Sequence, residues 1–133
     1  MSIQRIFPPD SPTPRGPYSP AVRAGDFIFV SGQGPIDPRT DKFAPGGILE
    51  QTRITLGNLE RVLAACGATL ADVVKCSVFL RDAREFHDMN KVYIEFFGDQ
   101  RPARTTVEAS FHEPEMLVEI DCVAYKPTLF AAG

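Results

Sequence analysis

Two periods of apolar residues run along this chain, one for strands and one for helices. In DFIFVSG (26–32), Phe27, Ile28, Phe29 and Val30 are apolar at successive positions. Both faces are therefore apolar, which predicts a central strand covered on both sides. From residue 48 the period changes. Ile48, Leu49, Thr52, Leu56, Leu59, Val62 and Leu63 recur at spacings of three and four, predicting a helix over 48–66 that Gly67 closes. VVKCSVFL (73–80) returns to alternation, with Val74, Cys76, Val78 and Leu80 on one face and Val73, Lys75, Ser77 and Phe79 on the other. A second helix fits 83–97, with Asp82 as its N-cap, Glu85 completing a capping-box pair and Gly98 at its end. Phe86, Met89, Tyr93, Phe96 and Phe97 form its apolar stripe, spaced as a packed helix requires. Strands over about 104–111 and 116–125 close the chain. The order strand–strand–helix–strand–helix–strand–strand predicts one α+β domain over residues 1–133, with two helices packed on one face of a sheet.

The intervening segments carry less information. GQGPIDPRTDKFAPGG (32–47) is rich in turn formers and reads as a loop. Its Gly32 and Gly34 lead to Pro35 and a turn, with no helix behind them, which argues against a phosphate-binding loop. Residues 1–20 hold six of the twelve prolines. They fit a polyproline II tail, or an extended lead-in that carries Tyr18 and Ser19 to a site; the sequence leaves both open.

In the last two strands, alternation sets Arg104, Thr106, Glu108 and Ser110 on one face of the first. It sets Leu117, Glu119, Asp121, Val123 and Tyr125 on one face of the second. If HEPE (112–115) turns the chain into an antiparallel hairpin, Thr106 falls opposite Asp121, and Arg104 lies diagonal to Asp121 at about 7–8 Å. A guanidinium, a hydroxyl and a carboxylate would then share a face with Val73, Phe79, Leu117, Val123 and Tyr125. Such a patch is too apolar to leave in water, so a partner subunit is expected to cover it. A partly desolvated cation there is suited to an anionic ligand.

Composition narrows the function classes. A net charge of −3 and a pI near 5.3, with basic residues scattered singly, argue against sequence-independent nucleic-acid binding. Cys66, Cys76 and Cys122 are odd in number and form no C-x-x-C pair, so buried reduced thiols are expected rather than disulfides. His87 and His112 are the only histidines, and no converging metal-ligand set is visible. No apolar run approaches the ~18 residues that span a bilayer. The first residues lack the layout of a secretory signal, so a cytoplasmic location is expected.

Seven segments together resemble the Rid family of reactive intermediate deaminases: GPYSPAV (16–22), IFVSGQGPIDP (28–38), QTRITLGNLERVLAACG (51–67), VVKCSVFLRD (74–82), MNKVYIEFF (89–97), RPARTTVEA (101–109) and LVEIDCVAY (117–125). The resemblance implies a chorismate-mutase-like α+β fold, a mixed sheet with two helices on one face, and a homotrimer with a central barrel and clefts between subunits. It implies that Arg104 holds a substrate carboxylate, that Asp121 positions water, and that Tyr18, Ser31, Gly32 and Thr106 line the same cleft. The implied reaction is cofactor-independent hydrolysis of a small carboxylate-bearing enamine or imine, of the 2-aminoacrylate or 2-iminopropanoate type, to a 2-keto acid and ammonia. A non-catalytic carboxylate-binding trimer and a deaminase of a larger enamine are the alternatives. An RNA-directed activity, described for relatives, fits the charge poorly. Three features depart from the usual pattern: Thr106 stands where Cys is frequent, Asp121 where Glu is common, and FHEPEM (111–116) in place of a short LP turn.

Overall fold

The computed structural model describes residues 3–128; the two ends of the expected 1–133 domain lie outside the described residues. In chain order the elements are β1 (Ile3–Ile6), β2 (Ala21–Ala24), β3 (Phe27–Gln33), β4 (Ile36–Asp37), β5 (Lys42–Phe43), α1 (Ile48–Ala65), β6 (Val73–Leu80), α2 (Phe86–Phe97), β7 (Ala103–Glu108) and β8 (Val118–Tyr125). Six strands form one mixed sheet in the order β1-β2-β3-β8-β6-β7, and β4 and β5 pair as a small separate ribbon. Both helices pack on one face, giving the expected α+β architecture.

The helices stand where their period placed them. At the start of α1 the Glu50 carboxylate turns back to accept the Gly47 N–H at 3.1 Å. At its end Gly67 takes a φ of +79°, and the N–H groups of Gly67 and Ala68 close onto the carbonyls of Ala64 and Leu63. The second helix begins less simply. Residues 83–85 form a 3-10 turn, Asp82 accepts the Arg84 N–H, and the Ala83 N–H goes to Glu108 on β7. Glu108, expected on a ligand face, is thus a capping group.

Between helices and sheet, Leu56, Leu59, Val62, Leu63, Met89 and Val92 meet Ile28, Val78, Leu80, Val118 and Ile120, all within 1% of full burial. The opposite face is bare in the single chain, where Phe27, Phe29, Val107 and Tyr125 are each more than 40% exposed. The central strand β3 is therefore covered on one side only.

Two further sequence expectations are corrected, and one left open is decided. The first is the closing hairpin. β7 pairs not with β8 but in parallel with β6, the connection being α2, while β8 lies between β3 and β6. A parallel pair needs a crossover of about a dozen residues, and α2 supplies it. The second is parity along β6. An extra residue between Val73 and Lys75 leaves Val74 exposed and Val73 buried beside Cys76. The open one concerns the prolines. Of the two readings of residues 1–20, the described part follows the extended one: β1 joins the sheet, Pro8 and Pro20 are buried, and the Thr13 N–H is held by Asp41 at 3.0 Å.

Candidate functional site

The bend in β3 builds the site. Val30 pairs with Cys122 and Gln33 with Ile120, so β3 spends three steps where β8 spends two. Ser31 and Gly32 occupy this bulge. The Ser31 hydroxyl donates to the Ser19 carbonyl at 2.7 Å, and the Ser31 N–H to the Pro20 carbonyl at 2.9 Å. These bonds tie the proline-rich strap to the strand and set Tyr18 beside Gly32. Tyr18 is itself fixed by a tight turn, its N–H donating to the Gly16 carbonyl and its hydroxyl accepting the Arg15 N–H.

The acid that meets this bulge is Glu119. A Cβ on Gly32 would lie 2.7 Å from Glu119 Cδ and 3.0 Å from Cγ, so only glycine admits the carboxyl group here. Burial pushes the Glu119 carboxyl above the usual carboxylate range, and the charge of Asp121 adds to the effect. Tyr18, Gly32 and Glu119 line a cleft of about 500 Å³ whose far wall includes Phe111 and Met116. That wall is pinned. Gln51 donates to the Glu115 carbonyl and accepts the Leu117 N–H, while Arg81 donates to the carbonyls of Met116 and Glu113 and stacks on Phe111.

Gly32→Ala is expected to push the Glu119 side chain out of its slot and leave the fold intact, at a cost of about 1–2 kcal/mol. In an NMR titration of the side-chain carboxyl, Glu119 should then titrate nearer the ordinary carboxylate value. An unchanged titration would show that Gly32 does not govern its position.

Arg104 lies elsewhere. It pairs with Cys76 on the helix side of the sheet, and its guanidinium lies 4.6 Å from the Tyr93 ring centroid and 5.5 Å from that of Phe86. Thr106, paired with Val78, shares that side. A second cavity, about 280 Å³, lies here and is lined by Asn90, Tyr93, Arg101 and Arg104 among others. Asp121 pairs with Ser77 and points to the bare face. Arg104 and Thr106 are therefore separated from Asp121 by the sheet, which overturns the expected single-face cluster. The reason is the crossover: it sets β7 beside β6 in a register that turns residues 104 and 106 toward the helices.

Of the expected site residues, the structure brings Tyr18 and Gly32 together and uses Ser31 as their anchor. It places Arg104 and Thr106 at the sheet edge and leaves Asp121 outside both cavities. Sequence reasoning missed Glu119; it set segment 111–116 apart and near the cleft, and Phe111 and Met116 of that segment line it. Alternation gave Glu119 and Asp121 the same face and could not choose between them. The three cysteines are buried and free, and burial pushes each thiol up, so none is a ready nucleophile. Among the described residues no helix is long and apolar enough to cross a membrane.

A six-stranded mixed sheet with two helices on one face, a bulge opening a cleft beside a desolvated carboxyl group, and an arginine at the parallel edge define a class of small α+β domains. Residues 9–126 match the family model described as endoribonuclease L-PSP. The chain belongs to this family, which is also the Rid or RutC family. A RutC family protein of Pyrococcus horikoshii is 47% identical over 121 residues, covering 91% of this chain and 96% of that one. A protein of Acinetobacter baylyi named 3-aminoacrylate deaminase RutC is 38% identical, covering 94% and 99%. Among solved structures, E. coli TdcF with bound serine superposes with a TM-score of 0.86 at 30% identity, covering 92% of this chain and 98% of that one. The Rid family protein YyfA of Yersinia pestis gives 0.88 at 34%, covering 93% and 99%.

Proposed function

We propose that this protein is a cofactor-independent hydrolase of 2-imino acids and their enamine tautomers, working as a homotrimer. In this reading Arg104 of one subunit faces the Tyr18–Gly32–Glu119 cleft of the next. The observation that carries it is the division of labour across the sheet: a desolvated carboxyl group in a cleft on one side, a guanidinium without an ion-pair partner among the described residues on the other. A second copy laid on the bare face would cover Phe27, Phe29, Val107 and Tyr125 and bring two such halves together. The relative named a 3-aminoacrylate deaminase and the serine found in TdcF support a small amino-acid-like substrate.

The chemistry asks little of the protein. Arg104 grips the substrate carboxylate through two parallel N–H···O bonds and fixes its plane. Ionised Glu119 takes a proton from water as the water oxygen attacks the protonated C=N carbon. The tetrahedral carbinolamine then passes its hydroxyl proton to nitrogen, the C–N bond breaks, and the keto acid and ammonia leave; ammonia takes the proton back from Glu119, departing as ammonium and restoring the carboxylate. Overall, iminium plus water gives carbonyl plus ammonium. A raised pKa makes Glu119 a better proton acceptor near neutrality than an ordinary carboxylate. This role, given in the sequence to Asp121, falls to Glu119 here, and Asp121 acts through its charge.

The test is a coupled assay in which an amino-acid oxidase supplies imines and keto-acid release is followed. Acceleration by the pure protein supports the reading. No acceleration with small or large imines would sink it and leave a carboxylate-binding trimer. The charge of −3 gives no support to an RNA-directed activity.

A pH dependence follows. Because Glu119 must be ionised, kcat/KM should rise with pH through a pKa above the ordinary carboxylate value. Asp121→Asn removes the neighbouring negative charge, lowers the Glu119 pKa and should shift the acid limb to lower pH. An unmoved limb in this variant would disconnect the two carboxylates.

A further inference from the structure

The cavity at the parallel edge holds more positive charge than one carboxylate can match. Arg101 and Arg104 both line it, with Asn90 and Tyr93, and no acidic residue is part of its lining. Neither guanidinium has an ion-pair partner among the described residues. The one side-chain bond of Arg101 runs to the Gly98 carbonyl at 3.3 Å, which leaves most of its donors free. At the wall Asn90 Oδ1 is buried without a partner, and the buried Tyr93 hydroxyl has only the Cys76 thiol and the Arg104 guanidinium beside it. An unpaired buried polar group is rare because it costs about 1–3 kcal/mol, so Asn90 Oδ1 beside two unmatched guanidinium groups points to a ligand that supplies the partners.

We infer that this cavity takes a dianion, and specifically that the preferred substrate is a 2-imino acid bearing a second carboxylate at the end of a short side chain. The inference rests on the hydrolase reading and adds the substrate class to it. Arg104 holds the carboxylate next to the imine carbon, and Arg101 holds the distal one. The Asn90 oxygen can accept from the imine N–H, and the Tyr93 hydroxyl can donate to a carboxylate oxygen. In open water an unpaired Arg101 costs little. Once a ligand and a second subunit close the cavity, it would be desolvated beside another guanidinium, and a second carboxylate removes that penalty. An imine with an uncharged side chain leaves Arg101 unmatched, so discrimination arises from what the poorer substrate fails to pair. Inorganic phosphate presents a similar dianion and is the competing source of the same chemistry.

The experiment compares wild type, Arg101→Gln and Arg101→Lys. Arg101 is exposed on the loop before β7, so the variants are expected to fold. The oxidase-coupled assay is run with glutamate-derived and alanine-derived imines. The kcat/KM ratio, glutamate-derived over alanine-derived, should exceed one in wild type and fall about tenfold in Arg101→Gln, with partial recovery in Arg101→Lys. A ratio unaffected by Arg101→Gln overturns the inference while the hydrolase reading stands. If wild type hydrolyses no imine, that reading fails by itself, and calorimetry with 2-oxoglutarate and pyruvate decides the binding claim. Tighter 2-oxoglutarate binding that Arg101→Gln abolishes supports it; equal binding overturns it. Phosphate binding tighter than 2-oxoglutarate and dependent on Arg101 would reassign the site to phosphate and overturn the dicarboxylate assignment.

Discussion

Arg104→Ala is expected to lower kcat/KM for imine hydrolysis about 10²–10⁴-fold while the protein stays folded. The size follows from the bonds removed. Two charge-assisted hydrogen bonds to a carboxylate contribute about 1.5–3 kcal/mol each, and each 1.4 kcal/mol lost from transition-state binding is tenfold in rate. The fold should survive because Arg104 is half-buried on an edge strand and contacts the Tyr93 and Phe86 rings through a face rather than filling the core. Arg104→Lys keeps the charge but loses the fork, and should recover only part of the rate. The measurement is the coupled assay alongside a thermal melt. Full activity in Arg104→Ala would remove the carboxylate anchor from the mechanism.

Glu119→Gln should reduce kcat by about 10²–10⁴-fold, the usual contribution of a positioned general base, with a smaller effect on KM. Its stability should move the other way. In the folded chain the Glu119 carboxyl holds its proton to higher pH than in the unfolded chain. Between those two pKa values the native state carries more protons, so stability falls as pH rises through the window and stays lower above it. Glutamine cannot ionise, so the variant should be at least as stable as wild type at neutral pH and should lack that fall. A variant that is inactive but no less stable separates a chemical role from a structural one.

The two variants together test where the site lies. If Arg104 and Glu119 act across a subunit boundary, co-expressed Arg104→Ala and Glu119→Gln chains will form some sites with both groups intact. Random assortment restores about one quarter of wild-type activity. If both groups act within one chain, the mixture stays inactive.

What was legible in the sequence was whatever is decided locally. The extent of α1, its closure at Gly67, the strand over 73–80 and the stripe of α2 follow from periods and caps spanning a few residues. The buried face of β8, with Val118, Ile120, Cys122 and Ala124, was equally plain from alternation. The resemblance of seven segments gave the family and the fold. The partner of β7 was not legible, because an X–turn–X pattern looks alike whether the two strands pair with each other or flank a third. Here α2 had already placed β7 beside β6, and β8 had to enter between β3 and β6.

The sequence by itself determined the helices, most of the strands, the class of fold and the presence of Arg104, Tyr18 and Gly32. Only the tertiary structure decided that Glu119, rather than Asp121, meets Gly32 in the cleft, and that Arg104 stands on the other side of the sheet. The physical reason is the two-residue period of a strand. One extra residue at Ser31–Gly32 or at Val74 turns following side chains to the opposite face, and which strand lies alongside fixes what they meet there. Those choices depend on contacts between residues far apart in the chain, and no short stretch of sequence contains them.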